Sequence, residues 1–125
     1  MNKEYALEVA NTIREQLFAL TNTNVLFSWG IRRLSATTVG DCAALKIEVT
    51  ARLFRGSVLV ALNSSDYYDI YLFDPQKGLC QIAEDVSFDQ LGDTIDRKIE
   101  RGDDPKAYAE FCSNEFKKLM HGDIF

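Results

Sequence analysis

The stretch AALKIEVTARLF, residues 43–54, decides how the chain is read. Ala43, Leu45, Ile47, Val49, Ala51 and Leu53 alternate with Ala44, Lys46, Glu48, Thr50, Arg52 and Phe54. Side chains of a strand point to opposite faces in turn, so this pattern predicts a strand with one buried and one wetter face. Arg55 and Gly56 follow and predict a tight hairpin turn. Pairing Phe54 with Ser57 then places Leu53 opposite Val58, Ala51 opposite Val60 and Val49 opposite Leu62. The apolar faces of the two strands coincide in that register, which is what fixes a register when one face is buried.

The next segment, LNSSDYYDIYLF at residues 62–73, allows two registers. A two-residue turn at Ser64 and Ser65 sets Asp69 opposite Val60 on the core face, where an unpaired carboxylate is costly. One extra turn residue pairs Val60 with Ile70 and Val58 with Leu72, so a longer or bulged turn around Asn63–Asp66 is expected. After the DPQKG turn, a last strand over 79–84 continues the same face, with Leu72 opposite Cys80 and Ile70 opposite Ile82. Upstream, residues 25–34 read as a first strand with Val25, Phe27, Trp29 and Ile31 on one face. Gly30 within it suggests a bulge or a close backbone approach. SATTVGD, residues 35–41, reads as a loop.

Helices flank the strands. Ala6, Val9, Ala10, Ile13, Leu17 and Leu20 recur at steps of three and four, the stripe of an amphipathic helix ending near TNTN. SFDQ, residues 87–90, fits a capping box with Ser87 as N-cap and Gln90 reaching back. Phe88, Leu91, Ile95 and Ile99 form the stripe that follows. A final helix is expected after Asp104 and Pro105, with a stripe of Tyr108, Phe111, Cys112, Phe116 and Leu119 and a stop at Gly122. The expected fold is a single α+β domain over 1–125. It has an N-terminal helix, an antiparallel meander of about five strands and two C-terminal helices, the helices layered on one face of the sheet.

The balance of charge excludes some functions. The 125 residues carry a net charge of −5, with a sequence pI near 4.8. Non-specific nucleic-acid binding works by neutralising phosphates with Lys and Arg, so neither nucleic acid nor an anionic membrane is an expected partner. The first twenty residues mix charges into their apolar positions, unlike a signal peptide, and no run approaches the length of a membrane span. Three cysteines, Cys42, Cys80 and Cys112, are odd in number and far apart. That is neither a disulfide framework nor a zinc site, and it suits a cytoplasmic protein.

Catalytic patterns are missing. The one histidine, His121, has no nucleophile near it in sequence, and no nucleotide-binding, hydrolase or metalloprotease motif occurs. No catalytic residue, metal or cofactor is assigned. Two surfaces are left. Asp89, Asp93, Asp96 and Glu100, spaced four, three and four, fall on one helical face as an acidic stripe. The outer sheet face gathers Phe54, Leu59, Tyr71, Phe73 and Leu79, rimmed by Arg52, Gln81 and Asp69. Cross-strand neighbours of this kind touch, and such a patch marks a contact surface unless a terminal helix or sheet twist hides it. Exposed sheet aromatics also serve single-stranded RNA binding, but the basic funnel for that is missing.

Three stretches, VLFSWGIRRL, FRGSVLVALNSSDYYDIYLF and DVSFDQLGDTID, make the chain resemble small uncharacterised proteins encoded by bacteriophages or integrated elements of gut bacteria. The resemblance runs from about Val25 to Glu100. It implies an accessory or interaction protein and transfers no catalytic residue. The leading expectation is a non-enzymatic cytoplasmic protein that binds a protein partner, or itself, through Phe54, Leu59, Tyr71, Phe73, Leu79 and Arg52. A second is an acidic inhibitor or immunity-like protein that uses the stripe on 89–100. A third is an enzyme with a site around Arg52, Asp69 and Tyr71.

Overall fold

In the computed structural model, which describes residues 2–102, the chain opens with helix α1, Lys3–Leu20. Asn2 caps it, its side-chain oxygen accepting the Glu4 N–H at 2.7 Å. Ala6, Val9, Ala10, Ile13 and Leu17 are buried along one stripe, whereas Leu20, at the end of the helix, is exposed. The sheet has five antiparallel strands in the order β1-β2-β3-β4-β5. They are β1 (Ile31–Val39), β2 (Cys42–Thr50), β3 (Arg55–Leu62), β4 (Tyr68–Asp74) and β5 (Gly78–Val86). A C-terminal helical segment follows. It comprises a 3-10 turn at Phe88–Gln90, helix α3 at Leu91–Asp96 and a wide π turn at Arg97–Arg101. The class is α+β, as expected. The helix expected after Pro105, its stripe and His121 lie outside the described residues.

One core joins these elements. Ile13 and Leu17 of α1, Ile47 of β2, Val58 and Val60 of β3, Ile70 of β4, and Leu91, Ile95 and Ile99 are all fully buried in it. The β3–β4 register is the one the Asp69 argument selects. Val60 pairs with Ile70 and Val58 with Leu72. Keeping Asp69 off the core face won over the shorter turn, and Asn63 to Tyr67 form the longer connection. In β4–β5, Leu72 faces Cys80 as expected. Ile70 faces Ala83 instead of Ile82, because a bulge intervenes.

Three local readings need correction. Residues 25–28 are not strand. They belong to a short helix α2, Thr23–Ser28, capped by Asn22, whose side chain accepts the Asn24 N–H at 2.8 Å. Gly30, with φ of 60°, ends it in the left-handed conformation favoured at helix C-termini. Alternation over a few apolar residues cannot separate strand from buried helix, and the two end signals decide it. The SATTVGD segment is mostly the rest of β1, with Gly40 and Asp41 making its turn.

The β2–β3 hairpin turn is not at Arg55–Gly56. It falls at Ala51–Phe54, and Arg55 and Gly56 are strand residues. Val58 therefore pairs with Ile47, not Leu53. The displacement is an even number of residues, so the side chains that stay in β2 and β3 keep their faces, whereas Leu53, expected in the core, is exposed in the turn and Phe54, expected on the outer face, packs partly against the core. Partners distant in sequence hold the turn. The Arg52 N–H donates to the Glu100 carboxylate at 2.6 Å, and the Leu53 N–H to the Ile99 carbonyl at 2.7 Å. The Arg52 guanidinium donates to the carbonyls of Glu100 (2.8 Å) and Arg101 (2.9 Å).

The third is the capping box. The Ser87 hydroxyl donates to Asp89 and accepts nothing from the Gln90 N–H, which goes to the Ser87 carbonyl at 3.0 Å, so a 3-10 turn forms in place of a capped helix. Phe88 is exposed and not part of the buried stripe.

Candidate functional site

The pairings build the outer sheet face row by row. One row runs Arg33, Glu48, Ser57, Phe73, Leu79, and the next runs Ser35, Lys46, Leu59, Tyr71, Gln81. A third holds Thr37, Ala44, Ala61 and Asp69. Leu59, Tyr71, Phe73 and Leu79 are thus brought together as expected. Phe54 and Arg52 are not. Glu48 and Lys46 occupy their places in the rows, because the β2–β3 turn falls earlier than Arg55–Gly56. Phe54 packs partly against the core, and Arg52 is bound to the π turn. Exposure varies over the face. Ala44, Ser57, Leu59 and Ala61 are buried, Tyr71 is half-buried, and Phe73 (38 %) and Leu79 (51 %) are open to solvent. Burial, together with the nearby Asp69, Cys42 and Glu84, raises the Tyr71 phenol above its ordinary value. It stays protonated at neutral pH and keeps its donor.

The side of this face nearest the β2–β3 turn opens into a groove of about 700 Å³. Arg32, Arg33, Lys46, Glu48, Arg55 and Phe73 are among the residues that line it. Its shape follows from two backbone features. Between Ile31 and Arg33 the β1–β2 register slips by one, so Arg32 is the extra residue of a bulge. A bulge re-aims side chains that would otherwise alternate, and here two consecutive arginines line one groove. Gly56, the second feature, also lines it and lets β3 and β4 approach closely. A Cβ there would lie 2.6 Å from the Phe73 carbonyl oxygen and 2.8 Å from the Phe54 ring. The sequence reading missed this groove. Its signals were the paired arginines directly after Gly30, and the glycine at 56, taken for a turn residue.

The acidic stripe does not form. Asp96 is buried and accepts the Trp29 indole N–H at 2.9 Å. Glu100 is buried against the 51–54 turn, and burial raises its carboxyl above the usual range, against the lowering effect of the Arg52 N–H bond. Asp93 is exposed but engaged by Arg97 at 3.2 Å and Arg101 at 2.7 Å. The regular helix covers only Leu91–Asp96, and the 3-10 and π turns on either side break the spacing that a single long helix would give.

The Arg52, Asp69 and Tyr71 constellation does not assemble either. Arg52 lies beyond the Thr50–Arg55 pair, while Asp69 is at the opposite end of the sheet, pairing with Ala61. Asp69 accepts from the Asn63 amide (2.9 Å) and the Asp85 N–H (3.1 Å). The groove at the β2–β3 end of the sheet, described above, is lined by none of the three.

No family model matches the chain, and comparison with curated proteins and with solved structures finds no relative. Among the described residues no helix is long and apolar enough to cross a membrane.

Proposed function

We propose that this chain is a non-enzymatic cytoplasmic accessory protein that binds another protein through the outer face of its sheet. The observation that carries the reading is the pair Phe73 and Leu79. They sit side by side in one cross-strand row, exposed, beside Tyr71 and next to a groove. Neighbouring exposed apolar and aromatic side chains on a sheet are costly to leave in water and mark contact surfaces. Tyr, Phe and Arg, the types enriched at interfaces, meet here. The resemblance to small phage and mobile-element proteins supports an accessory role. The acidic inhibitor reading is disfavoured, since Asp96 and Glu100 are buried and Asp93 is paired.

The test is substitution in cells that express the protein natively, with its complexes separated by size. Phe73→Asp combined with Leu79→Asp is expected to shift the protein from its complex to the monomer, while Phe27→Asp, at an exposed aromatic in α2, leaves the complex intact. Burying two unpaired carboxylates at an interface supplies the effect. A complex that survives the double substitution, or one that proves to be only a homo-oligomer, overturns the reading of a separate partner.

A further inference from the structure

We propose that the groove beside Phe73 seats an acidic, extended segment of the partner protein. Arg32, Arg33 and Arg55 pair with its carboxylates, and an apolar side chain of the segment rests on Phe73. This deepens the proposed function and rests on it.

Charge is the first argument. The chain is net negative at −5, yet four cations and one carboxylate line this groove. Arg33 approaches that carboxylate, Glu48, at 4.0 Å. Among the described residues Arg32, Lys46 and Arg55 take part in no ion pair. Like charges gathered without counter-charges repel one another, and a bound anion relieves that repulsion. A concave basic site in a negative molecule also concentrates field locally, so it attracts an acidic group that the rest of the surface turns away.

Geometry is the second argument. The lining runs from Arg32 and Arg33 on β1, across Lys46 and Glu48 on β2 and Arg55 and Gly56 on β3, to Phe73 on β4. Three strand spacings make roughly 14 Å, which about four extended residues cover. Two guanidinium groups, of Arg32 and Arg33, open that path, Arg55 follows on β3, and the aromatic ring comes last. The order fits a segment with acids at one end and an apolar residue at the other. Arginine suits this use, because its planar fork binds a carboxylate through two parallel bonds. Phe73 belongs to both the groove and the aromatic row, so the segment continues the proposed interface.

A nucleic-acid strand carries the same charge sign but fits less well. Its phosphates repeat at every residue, so one of them meets Glu48 in the middle of the path, where a peptide segment can carry an uncharged residue.

The experiment uses fluorescence anisotropy with the whole protein. The probe is a labelled hexapeptide of three aspartates followed by glycine, leucine and phenylalanine. Saturable binding is expected. It weakens at least about tenfold for Arg32→Glu with Arg55→Glu, and weakens as salt rises, since surface ion pairs are screened. Lys3→Glu with Arg14→Glu changes net charge equally, on exposed positions of α1, and is expected to leave binding within about twofold. Arg32 and Arg55 are exposed, so both pairs of variants are expected to fold, which circular dichroism checks. Three results overturn the proposal: no saturable binding, equal weakening by the two pairs of variants, or tighter binding of a single-stranded hexanucleotide. The two proposals fail separately. If the cellular complex survives the groove variants but not Phe73→Asp with Leu79→Asp, the groove assignment falls and the outer face stands.

Discussion

Replacing Trp29 by alanine is expected to lower the free energy of unfolding by about 3–5 kcal/mol. Trp29 is fully buried at the end of α2 and belongs to the same core cluster as Ile13, Ile47 and Leu91. The indole fills volume that no neighbour can reclaim, and its N–H is the donor to the buried Asp96 carboxylate. The alanine variant therefore loses packing and removes a hydrogen bond to a buried charge. Trp29→Phe separates the two losses. It keeps most of the ring volume, removes the donor, and is expected to cost about 1–3 kcal/mol. Urea unfolding followed by circular dichroism measures both, since the only tryptophan is the one replaced. A cost below about 1 kcal/mol for the alanine variant would contradict the placement of Trp29 in the core.

The second large effect is expected at Gly56. An alanine there places its Cβ against the Phe73 carbonyl oxygen, which is backbone and cannot swing aside, and against the Phe54 ring. Overpacking of this kind costs about 1–3 kcal/mol, and the backbone φ of 155° adds strain for any residue with a side chain. Gly40 supplies the contrast. It has φ of 58° but open space around its Cβ position, so Gly40→Ala is expected to cost only the left-handed penalty of about 1 kcal/mol. If the two substitutions cost the same in thermal unfolding, the close approach of β3 and β4 at Gly56 is wrong. Gly56→Ala is further expected to weaken acidic-peptide binding, because the displaced β4 carries Phe73 at the end of the groove.

The fold class and the buried faces were legible because they depend on alternation and on stripes. The β2–β3 turn shows the limit of that signal. Moving the turn by an even number of pairing positions leaves Ile47, Val49, Val58 and Val60 in the core, so the hydrophobic pattern cannot tell the two registers apart. What selects the observed turn lies far away in sequence: the Glu100 carboxylate and the Ile99 carbonyl, which accept the Arg52 and Leu53 N–H groups. The same error misplaced Phe54 and Arg52 on the outer face and kept Glu48 and Lys46 out of their rows. Asp96 and Glu100 were misread for a related reason. A helical projection treats 89–100 as one regular helix, and neither the Trp29 indole, which claims Asp96, nor the 51–54 turn, which claims Glu100, is visible from that projection. Phe73, Tyr71, Leu59 and Leu79 were found together because the Asp69 argument fixed the β3–β4 pairing from local chemistry alone. The basic groove needed the bulge at Arg32, a shift of one residue that no alternation pattern announces.

The outer face carrying Phe73 is proposed to meet another polypeptide. A photo-crosslinking phenylalanine analogue placed at position 73 in the natively expressed protein measures this directly. The expected result is a covalent adduct with a different protein, weakened by Arg32→Glu with Arg55→Glu, and no such adduct when the same analogue replaces Phe27. Crosslinks from position 73 that reach only residues of the same chain would contradict the account.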